Sequence, residues 1–235
     1  MKLPPLIPGR LIKRYKRFLA DIELADGSVI TAHCPNSGSM LGCNLPGSPV
    51  MISTSPNQNR KLAHTWELVQ VDGFWVGLNT MLPNRLAEEA ILDGTVAELQ
   101  GYRHLRREVP YGSERSRIDI LLEGDKDGCY VEVKNVTLVE DGKALFPDAV
   151  TTRGQKHLRE LMEVVRNDGR GVILFTVQRG DGAAVSSADR IDPVYGKLLR
   201  EAVANGVEAL AYRASVTPEE IRLTGRLAII LDQLS

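Results

Sequence analysis

The sequence predicts a mixed α/β protein in which a small β-barrel is followed by a larger α/β domain. Two observations lead to this prediction. Short runs of strand-forming residues, separated by turn residues, fill the first 80 positions, and segments with a helical apolar stripe appear only afterwards. The composition changes near Leu82-Pro83-Asn84. We therefore expect a β-barrel over residues 1–81 and an α/β domain over residues 82–235.

The N-terminal region is predicted to contain five or so short strands. Asp26-Gly27 and Asp72-Gly73 favour tight turns between strands, and residues 35–49 are rich in Asn, Ser, Gly and Pro, as loops are. Five strands in about 70 residues are typical of a small barrel, and an oligonucleotide-binding (OB) barrel is a natural candidate. Any small β domain would show the same periodicity. The predicted strands cover residues 15–24, 29–33, 50–54, 65–71 and 74–78.

The second region is predicted to fold in the order α-β-β-β-α-β-α-β. Asn84 is a favourable N-cap for the first helix, and Gly94 follows the end of that helix. Residues 137–149 are expected to form a long loop. The predicted helices cover residues 85–92, 151–167 and 192–205, and the predicted strands cover residues 102–110, 117–122, 129–135, 171–177 and 207–212.

Two acids and a lysine lie on the hairpin predicted over residues 117–135. Asp119 is on its first strand, and Glu132 and Lys134 share one face of the second. Buried charge is costly unless it is paired, and a divalent cation between the two carboxylates is one solution. Carboxylate oxygens suit Mg²⁺ or Mn²⁺, and such a metal polarises a phosphate and lowers the pKa of bound water. Lys134 could orient that water or stabilise charge on the phosphate. A structural ion-pair cluster is the alternative.

Further polar residues are predicted around this hairpin. Gln155 lies on the apolar stripe of the helix over residues 151–167, so it should face the sheet near the acids. A hydrogen bond to backbone at the start of the helix is the alternative for Gln155. Arg115, Arg117 and Arg153 add positive charge that attracts phosphate.

A basic segment near the start of the chain is a candidate nucleic-acid contact. Its four basic residues are Lys13, Arg14, Lys16 and Arg17. They are interleaved with Tyr15 and followed by Phe18, which suits a strand that follows phosphates and offers a ring for base stacking. The expected partner is DNA, with RNA as an alternative, bound by electrostatic contacts that weaken steeply with salt. A solvated strand edge is the other interpretation.

The composition limits the class of protein. The 235 residues carry a net charge of −1, so the whole chain has no cationic signature, although the first 17 residues hold six basic groups and no acid. Three cysteines without a repeated spacing argue against a disulfide framework. We find neither a signal peptide nor a stretch of ~18 apolar residues. The expected location is the cytoplasm, with no membrane partner. The oligomeric state is left open, with a homodimer among the options.

The order of elements around Asp119, Glu132 and Lys134 resembles the PD-(D/E)xK nuclease superfamily, whose core is α-β-β-β-α-β. The similarity extends over almost the whole chain to one family, the sugar fermentation stimulation protein A family. The runs that carry it are LIKRYKRFLAD (11–21), HCPNSGSMLGC (33–43), HTWELV (64–69), NTMLPNRLAEEAI (79–91), YGSERSRIDILL (111–122), YVEVKNVTL (130–138) and FPDAVTTRGQKHLREL (146–161).

This resemblance implies an OB-like domain joined to a PD-(D/E)xK nuclease-like α/β domain. It further implies a bacterial protein that binds DNA without marked sequence preference and has a regulatory role in sugar (maltose) metabolism. Carried over to this chain, Asp119, Glu132 and the upstream helical Glu89 would be metal ligands, and Lys134 and Gln155 would be catalytic. Helical geometry leaves Glu88 and Glu89 tied, so the choice of Glu89 depends on the resemblance. Asp119 follows an isoleucine where the superfamily pattern expects proline.

Three functions remain open from the sequence. The first is a DNA-binding protein, largely without sequence preference, that has a nuclease-type metal site. The second is an active nuclease that uses Mg²⁺ or Mn²⁺ to hydrolyse phosphodiester bonds. The third is a metabolic or interaction protein whose site is vestigial.

Overall fold

The computed structural model describes residues 1–112, 116–125 and 127–231. Within them the chain forms two six-stranded sheets, one four-stranded sheet and three α-helices. The first six-stranded sheet contains a closed N-terminal barrel, and the remaining elements form the α/β part. The predicted fold class, a mixed α/β protein with an OB-like barrel, is therefore confirmed.

Five strands form the closed barrel in the order β3-β2-β1-β4-β5, and a β3–β5 pairing at His33 and Thr65 closes it. Strand β6 pairs with the second half of β5. The core of the barrel includes Leu11, Ile22 and the fully buried Trp66, whose indole donates to the Leu68 carbonyl at 2.9 Å. The strands are β1 (Leu6–Tyr15), β2 (Leu19–Leu24), β3 (Val29–His33), β4 (Pro49–Thr54), β5 (His64–Val71) and β6 (Phe74–Gly77).

The continuous strand predicted over residues 15–24 is wrong. Strand β1 begins earlier, and a tight turn at Lys16 and Arg17 separates it from β2. Both residues have positive φ, 49° and 64°, within a three-residue turn that ends where Leu19 pairs with Tyr15. The periodicity of the segment gave no signal of this turn because neither glycine nor asparagine occupies it.

The α/β part has a central sheet in the order β15-β14-β12-β9-β8-β7 and a smaller sheet in the order β10-β11-β13-β16. Helix α1 packs on one face of the central sheet, and α2 and α3 pack on the other. The elements are α1 (Pro83–Leu92), β7 (His104–Tyr111), β8 (Ser116–Glu123), β9 (Cys129–Val136), β10 (Leu138–Glu140), β11 (Lys143–Phe146), α2 (Thr152–Arg166), β12 (Arg170–Val177), β13 (Ala184–Ser187), α3 (Pro193–Ala204), β14 (Glu208–Val216), β15 (Ile221–Arg226) and β16 (Ala228–Ile230).

The core order α1-β7-β8-β9-α2-β12 agrees with the predicted α-β-β-β-α-β series. The long loop predicted over residues 137–149 is instead the β10–β11 hairpin, which turns at Asp141 and Gly142. The N-cap predicted at Asn84 is also wrong, since α1 begins at Pro83 and has no side-chain cap. The side chain of Asn84 bonds elsewhere, as described below.

Strand β8 does not alternate regularly. Ile118 and Leu121 belong to the core under α2, whereas Ile120 and Leu122 belong to the core under α1. Ile118 and Ile120, two residues apart on β8, therefore face different cores. The ladder between β8 and β9 covers only Ile120 to Leu122, and beyond it the side chain of Asp119 takes the place of a backbone acceptor. The break in alternation thus lies at the acid of the hairpin.

Several side chains join the barrel to the α/β part. The hydroxyl of Ser39 donates to the carboxylate of Asp148 at 2.9 Å, and the Met40 amide donates to the same carboxylate at 3.0 Å. Arg179, only 2% exposed, donates to the Thr137 carbonyl and forms an ion pair with Asp72 of the barrel. Over the described residues, no helix has both the length and the apolar character needed to cross a membrane.

Candidate functional site

An open cleft of about 930 Å³ lies where α1, the β7–β9 part of the central sheet and α2 meet. We call it the cleft. Its charged lining residues are the bases Arg85, Arg107, Lys134 and Arg153, the acids Glu108, Asp119 and Glu132, and His157. The structure therefore brings the three hairpin residues predicted from the sequence into one accessible site.

Asp119 is held by two donors. Its Oδ2 accepts from the Val133 amide at 2.8 Å, and its Oδ1 accepts from Nδ2 of Asn84 at 2.8 Å. Burial, followed by the negative charge of Glu132, raises the pKa of Asp119 to about 6. The two hydrogen bonds and the charge of Lys134 oppose this shift but do not cancel it. A cation beside the two acids would relieve their repulsion.

Glu132 is the most deeply buried acid of the cleft, with 2% exposure. Its Oε1 lies 2.7 Å from Nζ of Lys134 and also contacts Nδ1 of His157. Burial would raise the pKa of Glu132, but the charge of Lys134 and the hydrogen bond from His157 outweigh it and hold the pKa below its usual value. Within the described residues, Oε2 of Glu132 has no hydrogen-bond partner.

Gln155 is not part of this cluster. Its amide donates to both carboxylate oxygens of Asp192, at 3.0 and 3.1 Å. Asp192 is the N-cap of α3, so Gln155 fastens α2 to the start of α3. The α2 residue that reaches the acids is His157, whose ring also accepts from Nε of Arg153 at 3.3 Å. The expectation that Gln155 faces the acids is therefore wrong. Gln155 lies two residues before His157 on α2, and two residues correspond to about 200° of rotation about the helix axis, so the two side chains leave the helix on different sides.

Glu89 also lies outside the cleft. Its carboxylate is 2.8 Å from the amino group of Met1. Its neighbour Glu88 pairs with Arg107 at 3.2 Å. The residue of α1 that reaches Asp119 is Asn84, on the first turn of the helix. Glu89 therefore does not lie beside Asp119 and Glu132, with which the family resemblance placed it as a metal ligand.

The metal set predicted from the sequence is reduced to two carboxylates. Asp119 and Glu132 line the cleft together, but no group of three or more His, Cys, Asp or Glu side chains suited to a metal ion occurs in residues 1–112, 116–125 and 127–231. The unpartnered Oε2 of Glu132 and the raised pKa of Asp119 fit a cation at this position. A cation held here would need further ligands from backbone, water or a bound phosphate.

The predicted basic segment divides into two groups. Arg14 is committed to structure, since its guanidinium donates to the carbonyls of Asn36, Gly38 and Arg17 at 2.8 to 3.0 Å. Lys13 lies 3.5 Å from Asp21 and over the ring of Tyr15, and it stays 62% exposed. Lys16, Arg17 and Phe18 are exposed at the β1–β2 turn.

The three arginines predicted near the hairpin also differ in their surroundings. Arg153 lines the cleft. Arg117 is exposed and donates to the Glu108 carbonyl at 2.7 Å. Arg115 lies outside the described residues. Sequence reasoning did not single out the cleft residues Arg85 and Arg107, because single arginines on a helix and an edge strand form no motif.

Comparisons with known proteins agree with this architecture. Two family profiles match the chain: "SfsA N-terminal OB domain" over residues 12–78 and "Sugar fermentation stimulation protein RE domain" over residues 81–220. The sugar fermentation stimulation protein homolog of Geobacter metallireducens is 73% identical over 232 residues, covering 98% of this chain and all of that protein. The homolog of Gloeobacter violaceus is 51% identical, covering 97% of each chain.

A solved structure is similar over the same length. It is described as Pyrococcus furiosus SfsA in complex with Ca²⁺, and it is 27% identical with a TM-score of 0.88 over 98% of both chains. The fold and the cleft define a class of protein in which an OB barrel is joined to a nuclease-like α/β domain. Within that class, this chain belongs to the sugar fermentation stimulation protein family.

Proposed function

We propose that this protein binds DNA, largely without sequence preference, and that its cleft holds a divalent cation against a backbone phosphate. The observation that carries the proposal is the Asp119–Glu132 pair surrounded by four basic side chains in an open cleft. Exposed arginines supply the attraction for phosphate, and the carboxylates would hold the cation. In a site for small anions alone, the two carboxylates would repel the ligand.

The barrel adds a second basic surface beside the cleft. The Phe18 carbonyl, next to the exposed Lys16 and Arg17, accepts from the amide of Cys34 at 2.7 Å. One residue further on, the Pro35 carbonyl accepts from the hydroxyl of Thr80, which lines the cleft, at 2.8 Å. These two hydrogen bonds bring the β1–β2 turn close to the edge of the cleft, which supports a single DNA-binding surface that includes both.

Asp119 and Glu132 are the residues that would hold the cation. The Pyrococcus furiosus relative is described as a complex with Ca²⁺, a cation that takes oxygen ligands. In this chain Oε2 of Glu132 is the unpartnered oxygen, and Lys134 neutralises the other oxygen of the same carboxylate. When bound, such a cation neutralises charge on a phosphate and lowers the pKa of a water bound to it.

A second candidate is hydrolysis of the bound phosphodiester. Lys134 favours it, because its side chain is 11% exposed beside the acids and its ammonium could orient a water or stabilise charge on the phosphate. Nδ1 of His157 contacts Oε1 of Glu132, the oxygen that also accepts from Lys134, so His157 positions the carboxylate that holds the lysine. The described residues of the cleft include no group of three side chains suited to a metal ion, and this favours binding over turnover as the first proposal.

The names of the relatives connect the family with stimulation of sugar fermentation. We therefore assign DNA binding by this chain to a regulatory role in sugar (maltose) metabolism rather than to DNA degradation. A cytoplasmic location and Mg²⁺ or Mn²⁺ as the cation in the cell are part of the same proposal. RNA in place of DNA is an outcome that the experiment below distinguishes.

The test is binding of labelled duplex DNA, single-stranded DNA and RNA, measured by fluorescence anisotropy with and without Ca²⁺. Parallel samples with Mg²⁺ or Mn²⁺ are run on gels to detect cleavage. We expect DNA binding that Ca²⁺ strengthens in the wild type and not in Asp119→Asn. Cleavage lost in Asp119→Asn would establish the second candidate. Absence of binding at low salt would overturn both, and tighter binding of RNA would overturn the assignment to DNA.

A further inference from the structure

A second concave site lies away from the cleft, between the end of β7, the start of β9 and the C-terminal half of α2. It has a volume of about 600 Å³, within the usual range for small-molecule sites. We call it the acidic pocket. Its acids are Asp127, Glu160, Glu163 and Asp168, and no Lys, Arg or His is among the described residues that line it. These acids make no ion pair with any described residue.

Glu160 is the unusual member of this pocket. It is 2% exposed, and neither of its carboxylate oxygens has a hydrogen-bond partner among the described residues. The hydroxyl of Tyr111, 8% exposed, lines the same space, and its interaction with Glu160 contributes to the raised pKa of Tyr111. A buried carboxylate without a cationic partner is costly. A positive charge in the pocket would therefore be stabilised by Glu160.

The chemistry of the lining indicates which class of ligand fits. The described residues of the pocket include no group of three side chains suited to a metal ion. The rings of Tyr111 and Tyr130 lie 5.8 Å apart on the wall of the pocket. Aromatic faces and carboxylates together favour an organic cation, because the rings attract a positive charge that is less hydrated than a metal ion.

The absence of a side chain at Gly112 leaves the carboxylate of Glu160 uncrowded. A Cβ on Gly112 would lie 2.8 Å from Oε1 of Glu160, and Gly112 has a positive φ of 69°. A side chain at this position would therefore crowd the carboxylate. Burial is the largest cause that raises the pKa of Tyr111, and the charges of Glu132, Glu160 and Asp119 add to it. The hydroxyl thus stays protonated beside Glu160.

We propose that the acidic pocket binds a free organic amine in its protonated form, with Glu160 as the main counter-ion. A polyamine is the simplest probe, because its spaced ammonium groups could reach both the buried Glu160 and the exposed Glu163 or Asp168. The site is separate from the cleft: the two share no lining residue. The proposal does not depend on the proposed binding of DNA.

The experiment is isothermal titration of the whole protein with spermidine at 150 mM salt, in the absence of nucleic acid. We expect saturable binding that weakens at least ten-fold in Glu160→Gln, equivalent to 1.4 kcal/mol. Glu201→Gln, an exposed acid on α3, is the matched control and should leave the affinity unchanged. Asp119→Asn should also leave it unchanged.

A second variant keeps the proposal testable if Glu160→Gln fails to fold. Glu163→Gln changes an exposed residue of the pocket and should weaken spermidine binding by about three-fold while leaving the thermal midpoint unchanged. No saturable binding by the wild type would overturn the proposal. Equal binding by the pocket variants and the Glu201→Gln control would overturn it as well, since it would show general attraction to acidic surface.

Discussion

Nζ of Lys134 lies 2.7 Å from Oε1 of Glu132, two residues earlier on β9. Residues at i and i+2 of a strand share a face, so the pair is set by the local geometry of the strand. Both side chains are largely buried, at 11% and 3% exposure. The ion pair is therefore a structural part of the cleft as well as a candidate for its chemistry.

Removing the lysine from this pair should destabilise the fold strongly. Lys134→Met leaves the buried Glu132 with His157 as its remaining contact, and breaking a buried pair from one side costs about 3–5 kcal/mol. The measurement is the free energy of unfolding in urea. Lys143→Met, at an exposed site on β11, should change it by less than about 0.5 kcal/mol.

Adding Glu132→Gln to Lys134→Met should restore most of the lost stability, because no uncompensated charge then remains buried. A double variant as unstable as Lys134→Met alone would show that lost packing, and not the unpaired carboxylate, causes the loss.

The raised pKa of Asp119 should appear in the pH dependence of stability. A carboxyl with a pKa of about 6 when folded and 3.8 when unfolded binds protons more tightly in the native state. Its contribution is fully present below about pH 4 and is lost as the pH rises through 6. Relative to Asp119→Asn, the wild type should lose up to about 3 kcal/mol across this range.

Urea unfolding of the wild type and of Asp119→Asn at pH 4, 5, 6 and 7 measures this loss. The difference between the two proteins isolates Asp119 from the other titrating groups. A difference that is constant with pH would contradict the raised pKa. The same proton should compete with a cation, so Ca²⁺ affinity should fall as the pH drops below 6.

A third carboxylate in the cleft should improve cation binding. Asn84 donates to Oδ1 of Asp119 at 2.8 Å, so Asn84→Asp places a new acid beside the pair. We expect Ca²⁺ affinity to rise by about ten-fold, because site charge sets the affinity of such sites, and stability without Ca²⁺ to fall by about 1–2 kcal/mol from like-charge repulsion. Calorimetric titration with Ca²⁺ measures the first effect. Asn57→Asp, in an exposed turn, is the control, and equal Ca²⁺ affinities of the two variants would refute the site.

The basic segment of the barrel should show two different effects. Arg14→Ala removes a guanidinium that joins β1 to the loop at Asn36 and Gly38, so it should destabilise the protein by about 2 kcal/mol with no change in the salt dependence of DNA binding. Lys16→Ala with Arg17→Ala should leave the stability unchanged and reduce the slope of log affinity against log salt by up to about 1.8. Anisotropy at several salt concentrations and urea unfolding separate the two. A reduced slope for Arg14→Ala would contradict its structural role.

The sequence predicted the parts of the site that depend on local geometry. Asp119, Glu132 and Lys134 meet because they lie on paired neighbouring strands, whose alternation and order are readable from the chain. Glu89 and Gln155 were misplaced because the rotation of a helix about its axis depends on tertiary packing. A shift of a few positions along a helix changes which side chain reaches the sheet. In the structure the side chains that reach the two acids are those of Asn84 and His157.

Contacts between distant segments could not be predicted from the sequence, for a different reason. The hydrogen bonds of Arg14 to the loop carbonyls join segments more than 20 residues apart. Those of Asp148 with Ser39 and Met40 join segments more than 100 residues apart. A charge pattern does not show whether a basic side chain is already satisfied by the protein's own backbone. Strand β15, which pairs with β14, and strand β16, which pairs with β13 in the smaller sheet, likewise lie in a segment whose short apolar runs carry little periodicity.

The central claim is that the cleft contacts the phosphate backbone of DNA. The most direct measurement is the slope of log affinity against log salt for a duplex, compared between the wild type and Arg85→Ala with Arg153→Ala. Both arginines are exposed in the cleft. Arg222→Ala with Arg226→Ala, on β15 at the opposite edge of the sheet, is the matched control.

We expect the cleft variant to bind more weakly and its slope to be smaller by about 1.8, since each lost phosphate contact removes about 0.9. The β15 control should keep the wild-type slope. A cleft variant with the wild-type affinity and slope would contradict the claim.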